Sequence, residues 1–120
     1  MSHIVQIKTE IRDLDALQAA CRRLNLTEAQ HGHHHVFAVH REGYAVKLPN
    51  WNYPVVCNIE TGAVDFDNYN GSWGKQEELD KFLQAYAVEK ATLEAQRMGY
   101  SLYETVLADG SIELNITMEN

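Results

Sequence analysis

The closing segment LADGSIELNITM, residues 107–118, limits what this chain can fold into more than any other stretch. Asp-Gly accepts the backbone angles of a tight hairpin turn. Ile112, Leu114, Ile116 and Met118 then alternate with Ser111, Glu113, Asn115 and Thr117, the period of a strand with one buried face. With Asp109-Gly110 as the loop, Leu107 should oppose Ile112, Thr105 should oppose Leu114 and Tyr103 should oppose Ile116. Two more X-Gly pairs repeat the signal. REGYAV suggests a turn at Glu42-Gly43 that pairs Val39 with Val46 and Phe37 with Leu48. IETGAVDF suggests one at Thr61-Gly62 that sets Ile59 against Val64 and Cys57 against Phe66.

Helical patterning separates these hairpins. An opening strand puts Val5, Ile7, Thr9 and Ile11 on one face. Asp13 follows as an N-cap, then Leu14, Leu17, Cys21 and Leu24 at helical spacing, with Asn25 at the helix end. A long helix is expected from about Lys75 to Met98, carrying Leu79, Phe82, Leu83, Tyr86 and Leu93 and closed by Gly99 and Tyr100. The order β-α-ββ-ββ-α-ββ predicts an α+β protein. Its expected form is a single antiparallel sheet of six to seven strands, with two helices on one face and residues 1–120 forming one domain. Cys21 and Cys57 fall on apolar faces and read as small buried hydrophobes, not a redox pair.

The bulk composition narrows the function. Ten Lys and Arg against 17 Asp and Glu give a net charge of −7, which disfavours a phosphate backbone as partner. No apolar run suits a membrane span and the N-terminus lacks a leader pattern, so a cytoplasmic protein is expected. No serine elbow, HExxH or dinucleotide-binding glycine motif occurs. GSWGK, residues 71–75, is not a phosphate loop, since Tyr69 and Gln76 stand where Gly and Ser/Thr are required.

Two clusters are candidate sites. In NWNYP and DNYNGSWGK, Trp51, Tyr53, Tyr69 and Trp73 lie among small polar residues, with Lys75 beside them. Rigid aromatics in that company suit a partner surface; the alternative is that both tryptophans fold back over the end of the sheet. One hairpin should return Trp51 and Trp73 to the same end. The second cluster is HGHHHVFAVH, residues 31–40. His31, His33 and His35 alternate on one face, with His34 and His40 on the other. Imidazoles so placed can hold zinc or another transition metal, although the segment also reads as a solvated strand entry.

SHIVQIKTEIRDLDALQAAC at residues 2–21 resembles the opening of the conserved hypothetical chloroplast reading-frame family thirty-five, found in algal plastids, cyanobacteria and other bacteria. NGSWG, FLQAYAVEKA and DGSIELNI extend the likeness along nearly the whole chain. The resemblance implies a compact α+β domain, in the plastid stroma where the gene is plastid-encoded. It implies no activity. The leading expectation is a non-enzymatic module that binds a protein or small-ligand partner through the aromatic loop ends, with no cofactor, nucleic acid or membrane involved. A metal-binding protein using His31, His33 and His35 is the competing class. A structural subunit using the sheet face left bare by the helices is a third. The oligomeric state stays open.

Overall fold

The computed structural model describes residues 5–7 and 10–117. The elements follow the expected order: β1 (Val5–Ile7), α1 (Leu14–Arg23), β2 (Gln30–Val36), β3 (Val39–Val46), β4 (Val55–Asn58), β5 (Ala63–Phe66), α2 (Gln76–Arg97), β6 (Ser101–Val106) and β7 (Ile112–Thr117). The fold is α+β with antiparallel pairing throughout. The strands do not form one sheet. Five make a sheet in the order β1-β5-β4-β3-β2, and β6-β7 stand apart as a two-stranded ribbon. The expected inward position of Met118 lies outside the described residues. No helix among the described residues is long and apolar enough to cross a membrane.

Both helices end as their sequences dictate. The Asp13 carboxylate accepts the Ala16 N–H at 3.1 Å and caps α1. Asn25 (φ 57) and Gly99 (φ 79) take the left-handed residue after each helix. The next amides, Leu26 and Tyr100, donate back to the Cys21 and Ala95 carbonyls, each at 2.8 Å. The helices meet where the Tyr86 hydroxyl accepts the Arg12 and Asp13 N–H groups at 3.2 and 3.1 Å. Their apolar sides close over Val46, Val55, Cys57, Val64 and Phe66, forming the main core with Ile11, Leu17, Cys21, Leu79 and Phe82. Cys57 is fully buried, and desolvation pushes its thiol up to about 12, so it is an inert core residue.

The turns depart from the expected registers for physical reasons. The Asn58 side chain accepts the N–H groups of Glu60 and Thr61, which makes a four-residue loop. Cys57 therefore faces Val64, not Phe66, and Asn58 faces Ala63. Asp109 accepts from the Ser111 N–H and hydroxyl, and the Leu107 N–H reaches the Ser111 carbonyl at 2.8 Å. That extra loop residue shifts the last register by one. Val106 opposes Ile112, Leu102 opposes Ile116, and Tyr103 faces Asn115.

The largest correction is the first hairpin. Glu42-Gly43 is not a turn but lies inside β3; the turn is Phe37-Ala38, flanked by the pair Val36–Val39. Val46 lies nine positions beyond Phe37, ~30 Å away along a straight strand. Yet the Phe37 ring packs on Tyr53 and Trp73, beside the Val55 end of β4. The β2–β3 ribbon therefore folds back over its own sheet. β2 touches β4, although β3 lies between them in the sheet, and Arg41 reaches Asp65 at 3.4 Å. This return covers the face opposite the helices and buries Val36, Ala45, Val56 and Asp65.

The bend sits where Gly32 and Gly43 face each other. A Cβ on Gly43 would lie 2.6 Å from the Cys57 carbonyl oxygen and 3.0 Å from Val56 Cγ1, and its φ is 153. Only glycine lets the ribbon press this close. Gly43→Ala is expected to cost about 3 kcal/mol and to separate Phe37 from Trp73. Chemical denaturation followed by tryptophan fluorescence measures both effects.

The β6–β7 ribbon runs back along α2, with Gln84 donating to the Gly110 carbonyl. Arg23 of α1 anchors it through Glu104, and also bonds Glu89 at 3.2 Å. The Arg23 hydrogen bond holds the Glu104 carboxyl below its ordinary value of 4.5. A depressed carboxyl stabilises the fold above its unfolded value, and that contribution fades as pH falls through the lowered one. Arg23→Met should loosen the ribbon at pH 7 by up to about 1 kcal/mol. Backbone NMR shifts of residues 101–106 should follow Glu104 protonation at lower pH in the parent protein than in the variant, where the carboxyl has lost the Arg23 hydrogen bond that depresses it.

Candidate functional site

The loop ends that carry the aromatic residues converge as the second hairpin requires. The Asn52 N–H donates to the Trp73 carbonyl at 2.8 Å, so the segments before β4 and after β5 lie side by side. The Asn68 side-chain amide bonds the Gly74 carbonyl, and the Trp73 N–H returns to the Asn68 carbonyl. Asp67 receives the Tyr69 N–H at 3.0 Å. These bonds hold residues 67–74 in a tight loop that turns through left-handed backbone at Tyr69 (φ 47), Asn70 (φ 52) and Gly71 (φ 95).

The two tryptophans have different roles. Trp51 folds over the main core, 5.7 Å from the Phe66 ring, and its indole N–H donates to the Lys75 carbonyl at 3.1 Å. A side chain on Gly74 would collide with that indole. Trp51 is therefore partly buried against the main core. Trp73 is the hub of a separate cluster: Tyr69 and Phe37 lie tilted 34° against it at 4.8 and 4.9 Å, with Tyr53 edge-on at 5.5 Å. Tyr53 also meets Phe37 edge-on at 6.0 Å. Phe37 and Tyr69 remain 36% and 42% exposed. Lys75 is exposed at the start of α2 and takes part through its backbone carbonyl, to which Trp51 is bonded.

Phe37 entered this cluster unforeseen. It is the first residue of a two-residue turn and carries φ 56, while Ala38 has no positive φ. That pattern normally assigns the position to glycine. A left-handed bulky residue costs on the order of 1–3 kcal/mol and persists only where its surroundings impose it. Tyr69 is left-handed as well, so the two strained aromatic residues of the described chain both rest on Trp73.

The histidines lie on the returning ribbon. His31, His33 and His35 share a face, as alternation requires, but the turn at Phe37-Ala38 adds cross-strand partners. His31 packs on Tyr44 at 4.9 Å, His33 reaches Glu42 at 3.4 Å, and His35 lies 4.0 Å from His40 between ring centroids. His40 thus joins the face of His35 instead of opposing it. His34 points to the inner side, with Nε2 2.9 Å from the Gln30 carbonyl. His31 stands beyond the Gly32 bend, in a cleft of about 180 Å³ lined also by Glu42, Tyr44, Asn58 and Glu60. Among the described residues no three His, Cys, Asp or Glu side chains converge as a formed metal centre, so His31, His33 and His35 are not assembled as a triad.

No family model, curated protein or solved structure matches this chain.

The contact between Gly74 and Trp51 makes a direct test of the core assignment. Gly74→Ala should displace the indole and cost about 2–3 kcal/mol, lowering the melting temperature in calorimetry. A partner-binding tryptophan free to swing aside would leave the melting temperature nearly unchanged.

Proposed function

We propose that this protein is a non-enzymatic binding module whose partner is another protein, engaged through Phe37, Tyr53, Tyr69 and Trp73. The observation that carries this reading is backbone strain at two residues whose side chains are exposed. Glycine or asparagine would hold the left-handed positions of Phe37 and Tyr69 at lower conformational cost. Burial does not account for large rings there, since each is more than a third exposed. Costly backbone at an accessible aromatic cluster is what a binding surface retains at the expense of stability. Rigid amphipathic rings supply contact area with little conformational entropy to lose. They are pre-set here by stacking on Trp73.

Trp51, which covers the core, is not part of the proposed surface, and Lys75 borders it. The resemblance of residues 2–21 to the plastid and cyanobacterial family supports a compact α+β module and assigns no chemistry that competes with binding.

Phe37→Gly and Tyr69→Asn keep the backbone geometry while removing the rings. Each should change stability by no more than about 1 kcal/mol. The double variant should lose at least ~10-fold in capture of its protein partner from an extract of the source cell, quantified by mass spectrometry. Undiminished capture by a folded double variant would refute the surface.

A further inference from the structure

We infer that the outer face of the β2–β3 ribbon is a transition-metal site, built on His35 and His40 with His33 as the third ligand. The reading is independent of the aromatic cluster. It rests on a pairing that the actual turn creates: His35 and His40 are direct cross-strand partners, one rung from the turn, with ring centroids 4.0 Å apart. Cross-strand imidazoles in ring contact need only a small rotamer adjustment to present nitrogens to one ion, since zinc–nitrogen bonds of ~2.0–2.1 Å set two ligand nitrogens ~3.5 Å apart. His33 lies two residues before His35 on the same face of β2. Alternate residues of one strand plus a neighbour across the ladder form a three-cornered set that leaves a fourth position for water.

His33 is held off that point by Glu42, its cross-strand partner at 3.4 Å. Its side chain is 73% exposed, so a rotamer change toward His35 meets little packing. The described residues accordingly hold two histidine rings in contact and no converged group of three. On ligation, Glu42 can accept the second ring N–H of His33, the outer-shell bond that orients most metal-bound histidines. The other two histidines of the hairpin are excluded by placement. His34 faces inward toward Gln30, and His31 lies beyond the bend against Tyr44. Three imidazoles select a borderline divalent ion such as Zn2+ over Mg2+ or Ca2+, which require oxygen ligands.

Dependence on His40 is the discriminating feature, because His40 lies outside the HGHHH run and joins it only through this hairpin. The test is calorimetric titration of Zn2+ into untagged, chelator-treated protein and its variants, with folding checked by circular dichroism. The expected result is one ion per chain. His35→Gln and His40→Gln should each weaken binding by more than ~10-fold, which loss of even an outer-shell partner can reach. His33→Gln should weaken it less, and His34→Gln should leave it unchanged. Zn2+ should also raise the melting temperature of the parent protein and not of His40→Gln. Absence of Zn2+ binding, binding unaffected by His40→Gln, or an equal loss with His34→Gln would overturn the site. The last two results would mean that the run chelates metal merely as a string of imidazoles.

Discussion

The close approach of Gly43 to the Cys57 carbonyl is the contact on which the rest of this architecture depends. A five-stranded sheet with helices on one side leaves its second face to water, and Ala45 and Val56 on that face call for cover. Among the described residues no third α-helix supplies it. The sheet covers itself by bending its own edge ribbon back over β4, and only a residue without a side chain fits at the fold line. The bend has three consequences. Val36 and Val56 become a second apolar layer. Arg41 is carried over to Asp65. Phe37 is delivered to the distant end of the sheet, against Trp73.

The order of elements was legible in the sequence, because each signal behind it is local. Asp13, Asn25 and Gly99 act within one turn of the backbone they cap, and helical periodicity survives whatever the helix packs against. Turn position was less legible. At Thr61-Gly62 and Asp109-Gly110 the glycines lie in the loops, but Asn58 and Asp109 use side-chain hydrogen bonds to lengthen them. At Glu42-Gly43 the glycine misleads altogether: it marks close backbone approach inside a strand, and the turn falls on Phe-Ala, which carries no turn chemistry. One signal could have found it. Around Phe37-Ala38 the sequence is mirrored, Val36 with Val39, His35 with His40, Gly32 with Gly43. Mirrored residues become facing residues in an antiparallel hairpin.

The candidate sites follow that pattern. Trp73, Tyr53 and Tyr69 were visible as large rings beside small polar residues, and their meeting followed from the return of one hairpin. Phe37 was not visible, because its place depends on a fold-back that joins residues ~30 Å apart along a straight ribbon. Trp51 looked equivalent to Trp73 in composition. The two are separated only by Gly74, whose bare backbone accepts the Trp51 indole and commits it to the core. Of the histidines, alternation placed His31, His33 and His35 correctly on one face, and the misplaced turn alone put His40 on the wrong one.

The two surfaces on the ribbon are mechanically joined. The His35–His40 pair is the rung next to Val36–Val39, and that last rung sets the entry and exit angles of the Phe37-Ala38 turn. A two-residue turn has no slack, so whatever constrains the rung behind it constrains the φ of Phe37. The strain at Phe37 is resisted from one side by stacking on Trp73 and from the other by the ladder through His35 and His40. On the proposed readings, a metal ion that stiffened the outer histidine face would also restrict the aromatic tip before a partner arrived. That is the condition under which occupancy of one site strengthens binding at another without a change of fold. The requirement for glycine at the bend, the strained phenylalanine at the tip and the paired histidines between them are consequences of one element, a ribbon folded back on its own sheet.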